Sequence, residues 1–278
     1  MNDGLNGVIA RAEAAVPRAG AYTGEDGLLY CAHCHTPRQC ITTLFEQPRV
    51  VPVMCRCLEE QEAARKAAVE RQLRDAEIRR LRDACFSAPA MRTCRFEAAQ
   101  PSRLIERARR YAERFDRFYA ENIGAMFTGE VGSGKTFAAA CIANALIDRC
   151  VPVRMLSLPR LLADMQGRWD KSALLSELAA CSLLILDDLG SERGSDYALE
   201  QLFSIIDTRY RAGKPLIITT NLTAGELKTP PDLRCERIYD RIAELCTAVV
   251  APGHSRREAV RQQKRQRALT LLGEEESS

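Results

Sequence analysis

Aromatic residues are scarce in this chain. They make up 6% of its 278 residues, with a single Trp, and no aromatic-rich stretch offers a platform for stacked bases. Charge of one sign is missing too. Forty Lys and Arg face 37 Asp and Glu, a formal net of +3, so any surface for a polyanion must be local. No run of about eighteen or more apolar residues occurs, which argues against a membrane span. The first twenty residues lack the basic-then-apolar order of a secretory signal. A cytoplasmic protein with no membrane partner is expected.

A hydrophobic fraction of 46% allows one substantial core and a smaller module. Cysteine is plentiful, at twelve residues. Five of them, Cys31, Cys34, Cys40, Cys55 and Cys57, crowd one segment, and the rest are scattered where a free thiol acts as a small buried hydrophobe. Without a signal, a metal site suits the cluster better than disulfides. Cys31-x2-Cys34, twenty residues, then Cys55-x-Cys57 supplies two close pairs of thiolates for a closed, structural Zn2+ site. His33, His35 and Cys40 are spare ligands, and unliganded reduced thiols are the plainer alternative.

Composition divides the chain further. Residues 1–57 read as a small Cys-rich module behind a loose leader, and residues 58–121 as a helical linker. In LEEQEAARKAAVERQLRDAEIRRLRDA, the steps Glu62 to Lys66, Glu70 to Arg74 and Asp75 to Arg79 support an exposed helix. Its apolar stripe (Val69, Leu73, Ala76, with Ile78 and Leu81 beside it) is thin, as in a solvated spacer rather than a coiled coil. Pro89 and Pro101 bracket a break, and a second helix is expected from Ser102 to Ala120. Residues 122–272 alternate the apolar runs IGAMFT, VPVRMLS, SLLILDD and KPLIITT with helical stretches. That pattern predicts an α/β domain, a central parallel sheet flanked by helices. Residues 273–278 form an acidic tail.

The chemistry is concentrated in the α/β part. Gly129-Glu130-Val131-Gly132-Ser133-Gly134-Lys135-Thr136 is a complete G-x-x-x-x-G-K-[ST] loop. Its glycines let backbone N–H groups turn inward on phosphate oxygens. Lys135 brings charge to the β- and γ-phosphates, Thr136 ligates Mg2+, and the helix that follows points its positive end at the same anion. ATP is the expected ligand. The strand-like run from Ser182 ends in Asp187 and Asp188. Asp187 suits the Mg2+ shell, and Asp188 suits a general base acting on water. Asn221 ends the run IITTN, where its amide can orient water or touch the γ-phosphate; Asn is equally a common turn residue.

Arginines follow. In Arg234-Cys235-Glu236-Arg237-Ile238-Tyr239-Asp240-Arg241-Ile242, Arg237 and Arg241 share a helix face. Either could serve a neighbouring subunit's γ-phosphate in trans, which implies a homo-oligomer, or could simply be solvated. Arg256 precedes the last helix and could reach the nucleotide from that side. The run SRREAVRQQKRQR is locally basic and can track phosphates or form a solvated face.

Together these motifs carry a resemblance. From about Thr93 to Arg257 the chain resembles the DnaC-type helicase loaders and their phage and transposon relatives in the AAA+ superfamily. The shared features are GEVGSGKT, LLILDDLGSE, IITTNL and ERIYDRI in order. TCRFE lies where that family has T-F-E-N-F, with Cys94 and Arg95 departing from it, and Asp188 stands where Glu is more usual. The resemblance implies an AAA+ P-loop fold, with Asp187 as the metal-side acid and Asp188 as the catalytic one. It also implies Asn221 as sensor one, Arg237 ahead of Arg241 as trans finger, and Arg256 as sensor two. It further implies ATP hydrolysis, a hexameric DnaB-type helicase and single-stranded DNA as partners, and a role in DNA replication. Several relatives carry an N-terminal zinc module for helicase contact. An IstB-like transposition helper ATPase and a non-hydrolysing nucleotide-gated adaptor are the alternatives.

Overall fold

A computed structural model describes residues 20–44, 46–167, 170–190, 196–251 and 256–272. The leader before residue 20 and the acidic tail lie outside them. Contacts divide the chain into two units, between Asp75 and Ala76. The sequence reading drew boundaries at 57 and 121 instead.

The first unit holds two antiparallel ribbons. Strand β1 (Ala21–Thr23) pairs with β2 (Leu29–Cys31), and β3 (Gln39–Leu44) pairs with β4 (Gln47–Pro52). Helix α1 (Arg56–Cys85) follows and runs on into the second unit. Buried apolar side chains in the first unit are few: Leu28, Leu29, Cys31 and Cys55 among the described residues. Along α1, Glu62 meets Arg65 at 3.1 Å rather than the expected Lys66, and Glu77 meets Arg80 at 2.6 Å. Val69 and Leu73 are exposed, as a solvated helix requires.

The second unit is built on five strands. β5 (Gly124–Thr128), β6 (Val153–Ser157), β7 (Leu183–Leu189), β8 (Leu216–Thr220) and β9 (Cys246–Val250) lie in the order β6-β7-β8-β5-β9, every neighbouring pair parallel. Strands buried on both faces must be apolar at successive positions, and alternate side chains then enter opposite layers. Ala125, Phe127, Leu183, Ile185 and Ile217 join one core. Met126, Leu184, Leu186, Leu216 and Ile218 join the other.

The first core is covered by the end of α1, by α2 (Arg103–Glu113) and α3 (Phe115–Ala120), and by α4 (Lys135–Ile147). Here the linker reading needs correction. Leu81, Cys85, Phe86, Phe96, Leu104, Ile105, Ala108, Tyr111, Ala112 and Phe115 are buried in this core, so the chain from 76 onward is part of the α/β unit. The reason is the apolar face of the 103–118 stretch, which is stable only against another apolar surface. The single helix expected over 102–120 is broken at Arg114, which caps α2 and opens α3. The second core lies under α5 (Leu158–Gln166), α6 (Ser172–Ala180), α7 (Asp196–Ala212) and α9 (Leu233–Leu245). A short α8 (Ala224–Lys228) precedes α9, and α10 (Arg256–Leu272) ends the described chain.

Candidate functional site

β8 lies between β5 and β7, so the C-terminal ends of these three strands stand side by side. The expected site residues leave those ends. The glycine loop joins β5 to α4 with Gly129, Gly132 and Gly134 at φ of 144°, 84° and 93°. At Gly129 a Cβ would also come within 2.7 Å of the Ala251 carbonyl, so no other residue fits. Glu130 and Val131 are exposed at the loop tip, whereas Ser133 and Lys135 are buried. Gly134 caps α4 with no side-chain bond to its first N–H groups, the arrangement that receives an anion.

Lys135 Nζ donates to the Gly129 carbonyl at 2.7 Å, the Glu130 carbonyl at 2.8 Å, the Ser133 hydroxyl at 3.4 Å and Asn221 Oδ1 at 2.9 Å. The structure thus brings Asn221, 86 residues along the chain, onto the loop lysine. Asp187 is buried, and its Oδ1 accepts from the Thr219 hydroxyl at 2.6 Å. Burial pushes its carboxyl above the usual range, opposed by hydrogen bonds from Thr219 and Thr136 and by the Lys135 charge. Thr136, Asp187 and Lys135 therefore meet at one place.

Asp188 occupies a bulge. Leu186 pairs with Ile218 and Leu189 with Thr220, so β7 has one residue more than β8 over that interval. Asp188 has φ 65°, a left-handed conformation that Asp tolerates. Its N–H donates to Thr219 Oγ1 at 3.1 Å. One fully buried hydroxyl thus accepts from the backbone of one acid and donates to the carboxylate of the other. Sequence reasoning missed Thr219, because a Thr in a strand reads as a β-former. The strand order is the signal that would have found it.

The two arginines of α9 differ. Arg237 is exposed and makes no ion pair or side-chain hydrogen bond among the described residues. Arg241 is ion-paired with Asp207, and its guanidinium lies 4.9 Å from the Phe203 ring and 5.3 Å from Tyr210, all on α7. It secures one helix to another within its own chain, which is at odds with the trans role expected of it. Arg256 opens α10, and its side chain lies outside the described residues.

The first unit carries the second cluster. The sulfurs of Cys31, Cys34, Cys55 and Cys57 all lie within 4.8 Å of one another, with Cys31 and Cys57 at 3.5 Å and Cys55 and Cys57 at 3.4 Å. A tetrahedral ion with bonds of about 2.3 Å sets its sulfurs about 3.8 Å apart. The close second pair works because Cys55 sits just before α1 and Cys57 in its first turn. Backbone N–H groups of Cys34 and His33 reach the Cys31 sulfur. Cys34 is drawn down to about 5, first by the Thr36 hydroxyl, and Cys57 is pushed up to about 12, first by Cys55. Cys57 thus holds its proton beside two thiols that give theirs up readily, and a bound cation favours the thiolate form. The set could hold a thiophilic metal with no open position. His33 and His35 are exposed and Cys40 lies on β3, all outside the cluster.

The family with the description IstB-like ATP binding protein matches residues 55–267. The chain belongs to that family. This IstB-like chain is thereby an AAA+ ATPase in kind. It is 30% identical over 193 residues to the replicative helicase loader DnaC of Escherichia coli (strain K12), covering 66% of this chain and 76% of the relative. It is also 30% identical over 123 residues to the phage-like element PBSX protein XkdC of Bacillus subtilis (strain 168), covering 42% and 46%. Among solved structures, DnaI superposes with a TM-score of 0.55 at 23% identity, covering 64% of this chain and 99% of that one. The DnaC helicase loader gives 0.51 at 24%, covering 59% and 100%. These two likenesses establish the AAA+ P-loop fold of the second unit. No helix among the described residues is long and apolar enough to cross a membrane.

Proposed function

We propose that this chain is an ATP-dependent, DnaC-like replicative helicase loader of the cytoplasm. In this reading it binds ATP with Mg2+, hydrolyses it, contacts single-stranded DNA and assembles, as a homo-oligomer, on a hexameric DnaB-type helicase. The supporting observation is the meeting of Lys135, Asn221, Thr136 and Asp187 at adjacent strand ends. The loop N–H groups and Lys135 bind the phosphates, with Gly129 to Thr136 enclosing them. Thr136 and Asp187 would hold Mg2+, which would neutralise charge developing on the phosphate oxygens. Asp188 takes the proton of water, Asn221 orients that water, Arg256 approaches from α10, and the unpaired Arg237 serves the neighbouring subunit's nucleotide. The thiolate cluster holds structural Zn2+ and shapes the helicase-facing module.

ATP turnover with and without single-stranded DNA tests the enzyme reading. Wild type should turn over, Asp188→Ala should not, and Lys135→Ala should lose nucleotide binding. Negligible turnover in wild type, with binding intact, would leave a nucleotide-gated adaptor. The family match favours one second reading, an IstB-like transposition helper. Capture of a transposase on duplex DNA, with no retention of a hexameric helicase under ATP or ADP, would establish it in place of the loader.

A further inference from the structure

The arginines of α2 and α3 form a stripe. Arg103, Arg107 and Arg110 stand four and three residues apart on one face of α2; Arg114 stands at the junction with α3, and Arg117 follows on α3. All five are exposed. None makes an ion pair or side-chain hydrogen bond among the described residues. The opposite face, with Leu104, Ile105, Ala108, Tyr111, Ala112 and Phe115, is buried in the core, so the stripe cannot turn inward. Neighbouring acids are engaged elsewhere: Asp116 takes Arg149 at 2.8 Å, and Glu97 lies 3.7 Å from Arg109. Glu106 and Glu113 stand one helical turn before Arg110 and Arg117, yet no ion pair forms. From 103 to 117 there are six arginines and three acids. A face this basic, in a chain of net +3, is a local field with an unmet anionic partner.

We propose that this stripe is a phosphodiester-binding face by which the α/β unit tracks a nucleic-acid strand. The reading rests on the proposed action at DNA and names the surface for it. At about 1.5 Å per residue the α2 part, from Arg103 to Arg110, spans about 10 Å, with a cation every 5 Å or so, and Arg114 and Arg117 continue it past the junction with α3. Long flexible arginine side chains bridge from that step to the closely spaced charges of a nucleic-acid backbone. Nothing on the face reads bases, so binding is indifferent to sequence and sensitive to salt.

The test is fluorescence anisotropy of a labelled thirty-nucleotide oligo-dT, with the matching duplex as a second arm, against full-length protein at 50 to 200 mM salt. The basic run on α10 is left intact. With five phosphates contacted on a single strand, the stripe contributes a salt slope of about 3.5, or about 100-fold in affinity over that range. Replacing all five by Gln should remove that component, and Arg107→Gln with Arg110→Gln about two-fifths of it. Loss on the single strand or on the duplex alone tells which form the face takes. Affinity for a fluorescent ATP analogue, unchanged in both variants, shows that the fold is retained. Wild-type binding matched by the five-fold variant would overturn the stripe alone. Wild type that hydrolyses ATP but binds neither DNA would remove the DNA part of the proposed function and the stripe with it.

Discussion

Arg209 offers a sharp test of the reasoning about the fold. It lies on α7, is 1% exposed, and has no carboxylate beside it among the described residues. Its guanidinium donates instead to carbonyls: Leu178 at 3.1 Å, Ala179 at 3.4 Å, Cys181 at 2.8 Å, Ser182 at 2.9 Å and Pro215 at 2.8 Å. Those oxygens belong to the end of α6 and to the residues just before β7 and β8. In Arg209→Met, Ala179 keeps Lys214 at 3.1 Å and Leu178 keeps the Cys181 thiol at 3.3 Å. Cys181, Ser182 and Pro215 keep no side-chain donor. Each buried acceptor left unpaired costs about 1–3 kcal/mol. Relief from burying an isolated charge, which depresses the Arg209 pKa, offsets several kcal/mol of that sum. A net loss of about 3 kcal/mol is expected, which lowers Tm by about 6–12 °C in a unit of this size. Urea and thermal unfolding followed by circular dichroism measure it. Because Arg209 binds the starts of β7 and β8 while Asp187 and Asn221 stand at their ends, nucleotide affinity at 20 °C should not change. A loss below 1 kcal/mol would refute the view that this cation organises those carbonyls.

Three further outcomes are expected. Thr219→Val removes the donor to Asp187 and the acceptor for the Asp188 N–H, so it should cost about 2 kcal/mol in stability and raise the Mg2+ needed for half-maximal turnover. Thr219→Ser should restore both, and a Val variant with unaltered Mg2+ dependence would show that the hydroxyl is only structural. Elemental analysis should find one zinc per chain, lost in Cys55→Ser, with the 76–272 unit still able to bind nucleotide; a zinc-free wild type that keeps the first unit folded would defeat the metal reading. Burial pushes the Cys85 and Cys141 thiols up to about 12 and Cys246 higher still. A raised pKa keeps each protonated and unreactive at pH 8, so a disulfide reagent should modify them only in denaturant. Fast modification of these three in the native protein, located by peptide mapping, would contradict their burial.

How far the sequence could be read depended on how local each feature is. The phosphate loop is eight consecutive residues whose conformation is set by its own glycines, so it was legible in full. Strands β5 to β8 were legible too, because burial on both faces writes continuous apolar runs. The link from Lys135 to Asn221 spans 86 residues and that from Thr219 to Asp187 spans 32. Asn221 was found only because an amide ending an apolar strand is an unusual signal. Thr219 carries no such signal, and nothing but the placing of β8 beside β7 gives it two acids to join. Arg241 shows the same limit from the other side. Its spacing from Arg237 is a helical repeat, but whether it faces a neighbouring subunit or Asp207 depends on where α7 lies.

Composition misleads for a related reason. A net of +3 averages the acids of the tail and of the stretch from Asp187 to Glu200 against the arginines of α2 and α3, so the whole-chain number hides a stripe that finds no counter-charge among the described residues. Periodicity could have exposed it: the apolar positions of 103–118 repeat with the arginines on the other face. The boundary error had the same source. Charge-rich α1 made the whole stretch to residue 121 look solvated, although its last turns and the helices after it bring ten buried side chains to the core. A helix is assigned to a core or to solvent by its least polar face, not by its mean composition. Judged by that face, the chain from 76 to 121 belongs with the sheet, and its arginines are held outward because its opposite side has nowhere else to go.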